Sequence, residues 1–307
     1  MTQMPGNTPP KALSGVAFAT LLLIACMMGA NHVAARFAFN DGVDVVTAVA
    51  FRSAATALVI SALLALERRW PPFKPRHRRA LPLIGTLVAL QSLSLYAGVA
   101  RLPIAIALIA FNTYPIWAAF WARVLYGQRA QPIVLKAMPL LLIGLALALD
   151  VSGAASGLGA RAHWEAIGAG LGFALAAGAI FGAVLVLTQH EAGDLDGRVR
   201  TWTTMLIVAV IASGTMLLRG GLHLPHTSPG WMGLIGLTAL YGTAFTIMFT
   251  VLPRLGVVGN SAIMNVEPVF ALVLAWALLD QVIAPIQIFG ALIVVATVLV
   301  LGLRRAP

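Results

Sequence analysis

The stretch that decides the fold is Leu255–Pro285, LGVVGNSAIMNVEPVFALVLAWALLDQVIAP. It is apolar almost throughout, yet it carries one carboxylate, Glu267, followed by Pro268. A proline inside a helix removes one i→i−4 hydrogen bond and crowds the carbonyl four residues back, here that of Met264, so a kink is predicted. In water that would be a defect. Within a lipid bilayer it is a place where a freed backbone acceptor and a charge can meet a solute.

The stretch has a twin. Residues 101–133 align without gaps to 254–286 at a constant offset of 153 (254 − 101 and 286 − 133 agree), and ten of the 33 positions are identical. The shared positions include Asn112 with Asn265, Pro115 with Pro268, and Gln128 with Gln281. The same offset of 153 pairs Gly15 with Gly168 and Gly29 with Gly182, so the repeat extends over both halves of the chain.

Composition places the whole chain in lipid. Hydrophobic residues make up 60% and charged residues 10%, against roughly 25% charged in soluble domains, and the mean hydropathy is +0.93. The net charge of +10 would suit nucleic acid, but the cations lie in short gaps between apolar runs, which is the pattern of a topology signal. No nucleic-acid partner is expected. Cys26 is the single cysteine, which excludes an intramolecular disulfide and a cysteine-based metal cluster.

After a polar tail at 1–12, apolar runs lie at about 13–35, 46–66, 81–100, 103–126 and 133–150. A second set lies at about 165–188, 201–218, 231–252, 256–279 and 285–303, leaving a short end at 304–307. Each is long enough to span a bilayer. The first is too long for a signal-peptide core and is expected to be retained. The predicted fold is an all-α integral membrane protein of ten transmembrane helices in two inverted five-helix repeats, 13–150 and 165–303. Alternate gaps hold 15 Lys and Arg on one side and four on the other (Arg36, Arg101, Arg161 and Arg219), which predicts both termini in the cytoplasm. Five spans per half then force opposite insertion of the halves, a plan of secondary transporters that hold solute near midplane. Gly168/Gly172 and Gly178/Gly182 give small-xxx-small spacings on the sixth span; packing within the monomer is preferred over a homodimer.

With these features in place, the chain resembles the EamA-type members of the drug/metabolite transporter superfamily. The resemblance is carried by Met28-Gly29-Ala30-Asn31, Phe51-Arg52, Tyr114-Pro115-Ile116 and, most closely, Val266-Glu267-Pro268-Val269-Phe270. It implies transport of amino acids, metabolites, sugars or drugs across the cytoplasmic (inner) membrane, more often outward. Relatives commonly have Trp where Met28 stands, and often an acid where Gln128 and Gln281 stand.

The candidate solute-contacting residues follow from depth and chemistry. Pro115 and Pro268 each lie about 18 Å into their spans, close to the middle of a hydrocarbon layer of roughly 30 Å, and are read as hinges. Asn112 and Asn265, a turn earlier, can bond a freed carbonyl or a solute. Glu267 can bind a solute amine, carry a coupling proton, or form a fixed ion pair with Arg52, whose depth matches. Its repeat partner is Tyr114, so the site would be chemically lopsided. His32, beside Asn31, can shuttle protons or be held locally. Tyr96, Tyr114 and Tyr241 can line a cavity with Trp117 and Trp121. His223 and His226 flank Pro225 without the carboxylate or cysteine partners a metal would need. Neither a cofactor nor an ATP-binding motif is expected, and the partners are a small solute, lipid and, on the second reading of Glu267, protons. The competing class is a polytopic enzyme acting on lipid-linked substrates, which would need clustered acids for a metal ion. Asp41/Asp44 and Asp194/Asp196 are loop pairs without a third partner.

Overall fold

The computed structural model describes residues 15–67, 73–128, 132–150, 160–250, 266–281 and 283–303. All regular structure among them is helical. The first half holds α1 (Gly15–Asn40), α2 (Val45–Leu66), α3 (Pro75–Arg101), α4 (Ile104–Phe111), α5 (Tyr114–Tyr126) and α6 (Pro132–Ala148). The second holds α7 (Ala160–Glu191), α8 (Gly197–Leu218), α9 (Ser228–Thr250), α10 (Glu267–Leu279) and α11 (Pro285–Leu303). Seven helical segments among the described residues, with α4 and α5 taken as one, are long and apolar enough to cross a membrane; α6, α10 and α11 add shorter apolar helices. Large apolar side chains such as Leu58, Leu66, Met232 and Trp276 remain exposed, as a surface bathed in lipid allows.

The repeat visible in the sequence governs the packing. The offset of 153 makes α7, α8, α9 and α11 the counterparts of α1, α2, α3 and α6. Helices then pack in matched sets: α1 against α9 as α7 against α3, α1 against α10 as α7 against α5, and α2 against α9 as α8 against α3. The two self-paired sets run antiparallel. In α2–α8, Trp202 donates to Ser61 and Arg198 pairs with Glu67, while His223 beyond α8 reaches Thr47 at the start of α2. In α6–α11, Gly144 lies against Ile293 and Val294, whereas Gly290 lies against Leu147 and Ala148. Equivalent helices that meet antiparallel require a twofold relation between the halves.

The end contacts obey the same relation. Asp41 accepts from the amides of His226 and Thr227, 2.8 Å each, at the start of α9. Its counterpart Asp194 (41 + 153) bonds Lys74, the counterpart of Thr227 (227 − 153), together with Arg76 and His77. These two aspartates, left as partnerless loop pairs by the sequence, are the two ends of one duplicated contact. Arg76, Arg78 and Arg79 open α3 at the positive end of its dipole, which is unfavourable; Asp194 offsets it. Lys74, then His77 and Arg76, hold the Asp194 carboxyl below the usual carboxylate range, and the Thr227 amide does the same for Asp41. With Lys74 as its N-cap, α3 begins six residues before the apolar run expected at 81.

Candidate functional site

The Asn112 region shows how local sequence shapes the bundle centre. A kink within one helix is expected at Pro115, but the helix instead breaks: α4 stops at Phe111 and α5 restarts at Tyr114. Pro115 stands in the first turn of the new helix, where its missing N–H costs nothing. Asn112 Nδ2 donates to the Leu108 carbonyl at 2.8 Å, and Thr113 Oγ1 to that of Ala110. Asn112 therefore serves its own backbone. Pro268 occupies the matching place in the first turn of α10, which begins at Glu267. The positive end of a helix dipole thus meets the carboxylate. Asn265 lies outside the described residues.

Glu267 and five other residues singled out in the sequence come together in one cluster. His32 Nε2 lies 3.0 Å from Glu267 Oε1, with the His32 side chain 3% exposed and that of Glu267 21%. The fixed ion pair with Arg52, one of the three readings of Glu267, is not found among the described residues. Matching depth fixes height in the bilayer but leaves the direction around the bundle axis open, and His32 occupies the facing direction. Arg52, 4% exposed, instead lies between two rings, its guanidinium carbon 3.9 Å from the Tyr241 centroid and 4.5 Å from that of Tyr96. A weakly hydrated planar cation suits such a slot better than an ammonium does. The Tyr96 hydroxyl donates to Asn31 Oδ1 at 2.9 Å. The Tyr96 ring packs against His32 and, edge-on, against Phe39.

This cluster draws Asn31 and His32 from α1, Arg52 from α2, Tyr96 from α3, Tyr241 from α9 and Glu267 from α10, so both halves contribute. Its contacts leave three polar atoms, Asn31 Nδ2, His32 Nδ1 and Arg52 Nε, buried without a partner among the described residues. Buried polar groups are ordinarily paired, because leaving one unpaired costs about 1–3 kcal/mol. Three in one cluster give it unused capacity to donate and accept.

Tyr114 and Trp117 take another place. Tyr114 packs with Phe111 and Phe181, at centroid distances of 5.8 and 5.1 Å, and Trp117 packs edge-on to Phe120. Trp121 Nε1 donates to the Ala179 carbonyl. The structure also adds residues that sequence reasoning did not single out. Met205 on α8 accepts from the Tyr241 hydroxyl, and Phe245 lies 4.4 Å from the Tyr241 ring. Arg36 reaches the carbonyls of Val99 and Leu102 and ties α1 to the end of α3. The sequence places Arg36 in the gap after the first apolar run, whereas α1 continues to Asn40 and so contains it; nothing in the sequence marks Met205.

The approach of α10 to α1 depends on Gly29, where a Cβ would meet the Ala271 amide nitrogen at 2.9 Å and Phe270 Cβ at 3.2 Å. At its counterpart Gly182, a Cβ would meet the Ala118 nitrogen at 2.6 Å and Trp117 Cβ at 2.8 Å. Adding 153 to 118 gives 271 and to 117 gives 270, so this is the same contact made twice with the halves exchanged. Of the predicted small-residue pairs, Gly178 and Gly182 are packing contacts, whereas Gly168 and Gly172 have nothing within 4 Å.

Comparison with known proteins bears on the family and the fold. The sequence profile of the EamA-like transporter family matches residues 13–149 and 168–303. A solved crystal structure, titled only as that of a protein, superposes with a TM-score of 0.58 at 15% identity, covering 91% of this chain and 96% of the other. At that identity it bears on the fold alone. A search of curated proteins finds no match.

Proposed function

Since the chain belongs to the EamA-like transporter family, a family of multi-span membrane proteins, we propose that it is a secondary exporter of small metabolites and that the Glu267 cluster is its solute site. The reading assigns ten spans, in inverted five-helix halves at 13–150 and 165–303, with both termini cytoplasmic in the inner membrane. The observation that carries the site is three buried polar atoms without a partner among the described residues, in one cluster with a carboxylate at the start of a helix. A zwitterion suits this set. Its ammonium replaces His32 at Glu267, and its carboxylate approaches Arg52 Nε and Asn31 Nδ2. An amphiphilic drug cation would use the Glu267 half alone. Asn112 supports the break between α4 and α5, Pro115 and Pro268 are the hinges, and Tyr114 and Trp117 line the solute path from α5, the counterpart of α10.

The His32–Glu267 contact supports a coupling proton. A proton shared across the pair leaves when solute ammonium takes its place, so solute and proton occupy the carboxylate in turn. Movement then follows rocking of one half against the other about the first turns of α5 and α10, where Pro115 and Pro268 stand. Counterflow of amino acids and organic cations in proteoliposomes tests this. Glu267→Gln should reduce flux at least about tenfold and flatten its pH dependence, since more than about 1.4 kcal/mol of charge-assisted contact is lost. Wild-type flux with wild-type pH dependence would remove Glu267 from the mechanism.

A further inference from the structure

A crevice of about 640 Å³ opens at the end of the bundle where α2 begins and α3 and α8 finish, and it borders the Glu267 cluster through Phe39, whose ring packs edge-on to that of Tyr96. Its wall is apolar, formed by Leu90 and Leu93 of α3 with Phe173 of α7, and its mouth is charged, with Arg101, Arg219 and Asp44. Arg101 lies over the Phe173 ring at 5.0 Å and donates to the Ala97 carbonyl. The Arg219 side chain has no partner among the described residues, and neither arginine is in an ion pair there. Asp44 caps α2 through the Thr47 amide, and its second oxygen lies 3.9 Å from His223 Nδ1.

Shape and charge agree on one occupant. From Leu90 to Arg101 the crevice follows eleven residue steps of α3, about 16 Å, which is one leaflet's share of a hydrocarbon layer of roughly 30 Å. Two cations and one anion at the mouth match a phosphodiester beside an ammonium. Arg101 has a counterpart in Arg254 (101 + 153), but the other two charges are not a by-product of duplication. The counterparts of Arg219, Asp44 and Phe173 are Leu66 (219 − 153), Gly197 (44 + 153) and Thr20 (173 − 153). We propose that this crevice holds one phospholipid with a zwitterionic, primary-amine headgroup. Its phosphate lies against Arg101 and Arg219, its ammonium at Asp44, and one acyl chain along Leu90, Leu93 and Phe173.

The test uses the purified full chain, given equal amounts of phosphatidylethanolamine, phosphatidylcholine and phosphatidylglycerol, with bound lipid counted by native mass spectrometry. One phosphatidylethanolamine per chain should survive, with each of the others retained about tenfold less, and soluble phosphoethanolamine should not displace it. The double variant Arg101→Gln/Arg219→Gln should lose this retention. Asp44→Asn, which keeps an oxygen to cap α2, should bring phosphatidylethanolamine down to the level of phosphatidylcholine. Equal retention of the three lipids by the wild-type chain overturns the headgroup assignment without recourse to any variant. Displacement by phosphoethanolamine overturns the lipid in favour of a soluble solute, and a preference for phosphatidylglycerol overturns the role of Asp44.

Discussion

Arg52 draws its stabilisation from two aromatic faces, since no carboxylate among the described residues pairs with it. Lysine at that position keeps the charge but cannot lie as a plane between Tyr96 and Tyr241. Arg52→Lys should therefore lower stability by about 1–3 kcal/mol, read as a lower melting temperature in detergent; an unchanged melt would mean that the stack contributes nothing. Glu267 was legible in the sequence because a carboxylate in an apolar run is costly and so stands out. Its partner was not. Counting residues along a helix gives depth, whereas the partner is chosen by rotation around the bundle axis, which depends on how α1 and α10 pack. Asn112 was legible as a residue tied to the helix break, but only the geometry separates service to the Leu108 carbonyl from service to a solute.

At the scale of elements, the broken helix is the consequence of a proline in a span with polar residues just before it. The sequence showed the interruption, and the structure shows a restart where a bend was expected. The reason is that Asn112 and Thr113 satisfy the carbonyls of Leu108 and Ala110, so the chain can leave the helix and re-enter it at Tyr114. The glycines teach a similar lesson. Spacing marks four of them on α7, yet only Gly178 and Gly182 press on a neighbour; spacing does not say which face of a helix finds one. Gly29→Ala and Gly182→Ala should each destabilise by about 1–3 kcal/mol, because each added methyl meets backbone that cannot move aside cheaply. Gly168→Ala, in open space, should leave the melt unchanged or raise it slightly. Melting curves of the three variants check this, and equal effects at Gly168 and Gly182 would contradict the close approach.

At the scale of the whole molecule, Asp41 and Asp194 fasten the two ends of the bundle. Both carboxyls are held below their ordinary range. A group with a depressed folded pKa stabilises above its unfolded value, about 3.9, and the stabilisation is lost as the pH falls through the folded value. Asp194→Asn should therefore melt lower than wild type at pH 7, and the gap should shrink as the pH drops below about 3.9; a gap independent of pH would show that charge at Asp194 plays no part. The twofold plan itself was readable from the offset of 153 between the halves, since duplicated sequence must fold to duplicated structure. Its inversion is tested most directly at repeat-equivalent positions. With Cys26 replaced by alanine, single cysteines at Lys74 and at its counterpart Thr227 (74 + 153), both exposed at opposite helix starts, can be labelled with a membrane-impermeant maleimide in intact cells and in inside-out vesicles. Lys74→Cys should react only in the vesicles and Thr227→Cys only in the cells. Reaction of both from the same side of the membrane would contradict inverted halves and, with them, a site that opens to each side in turn.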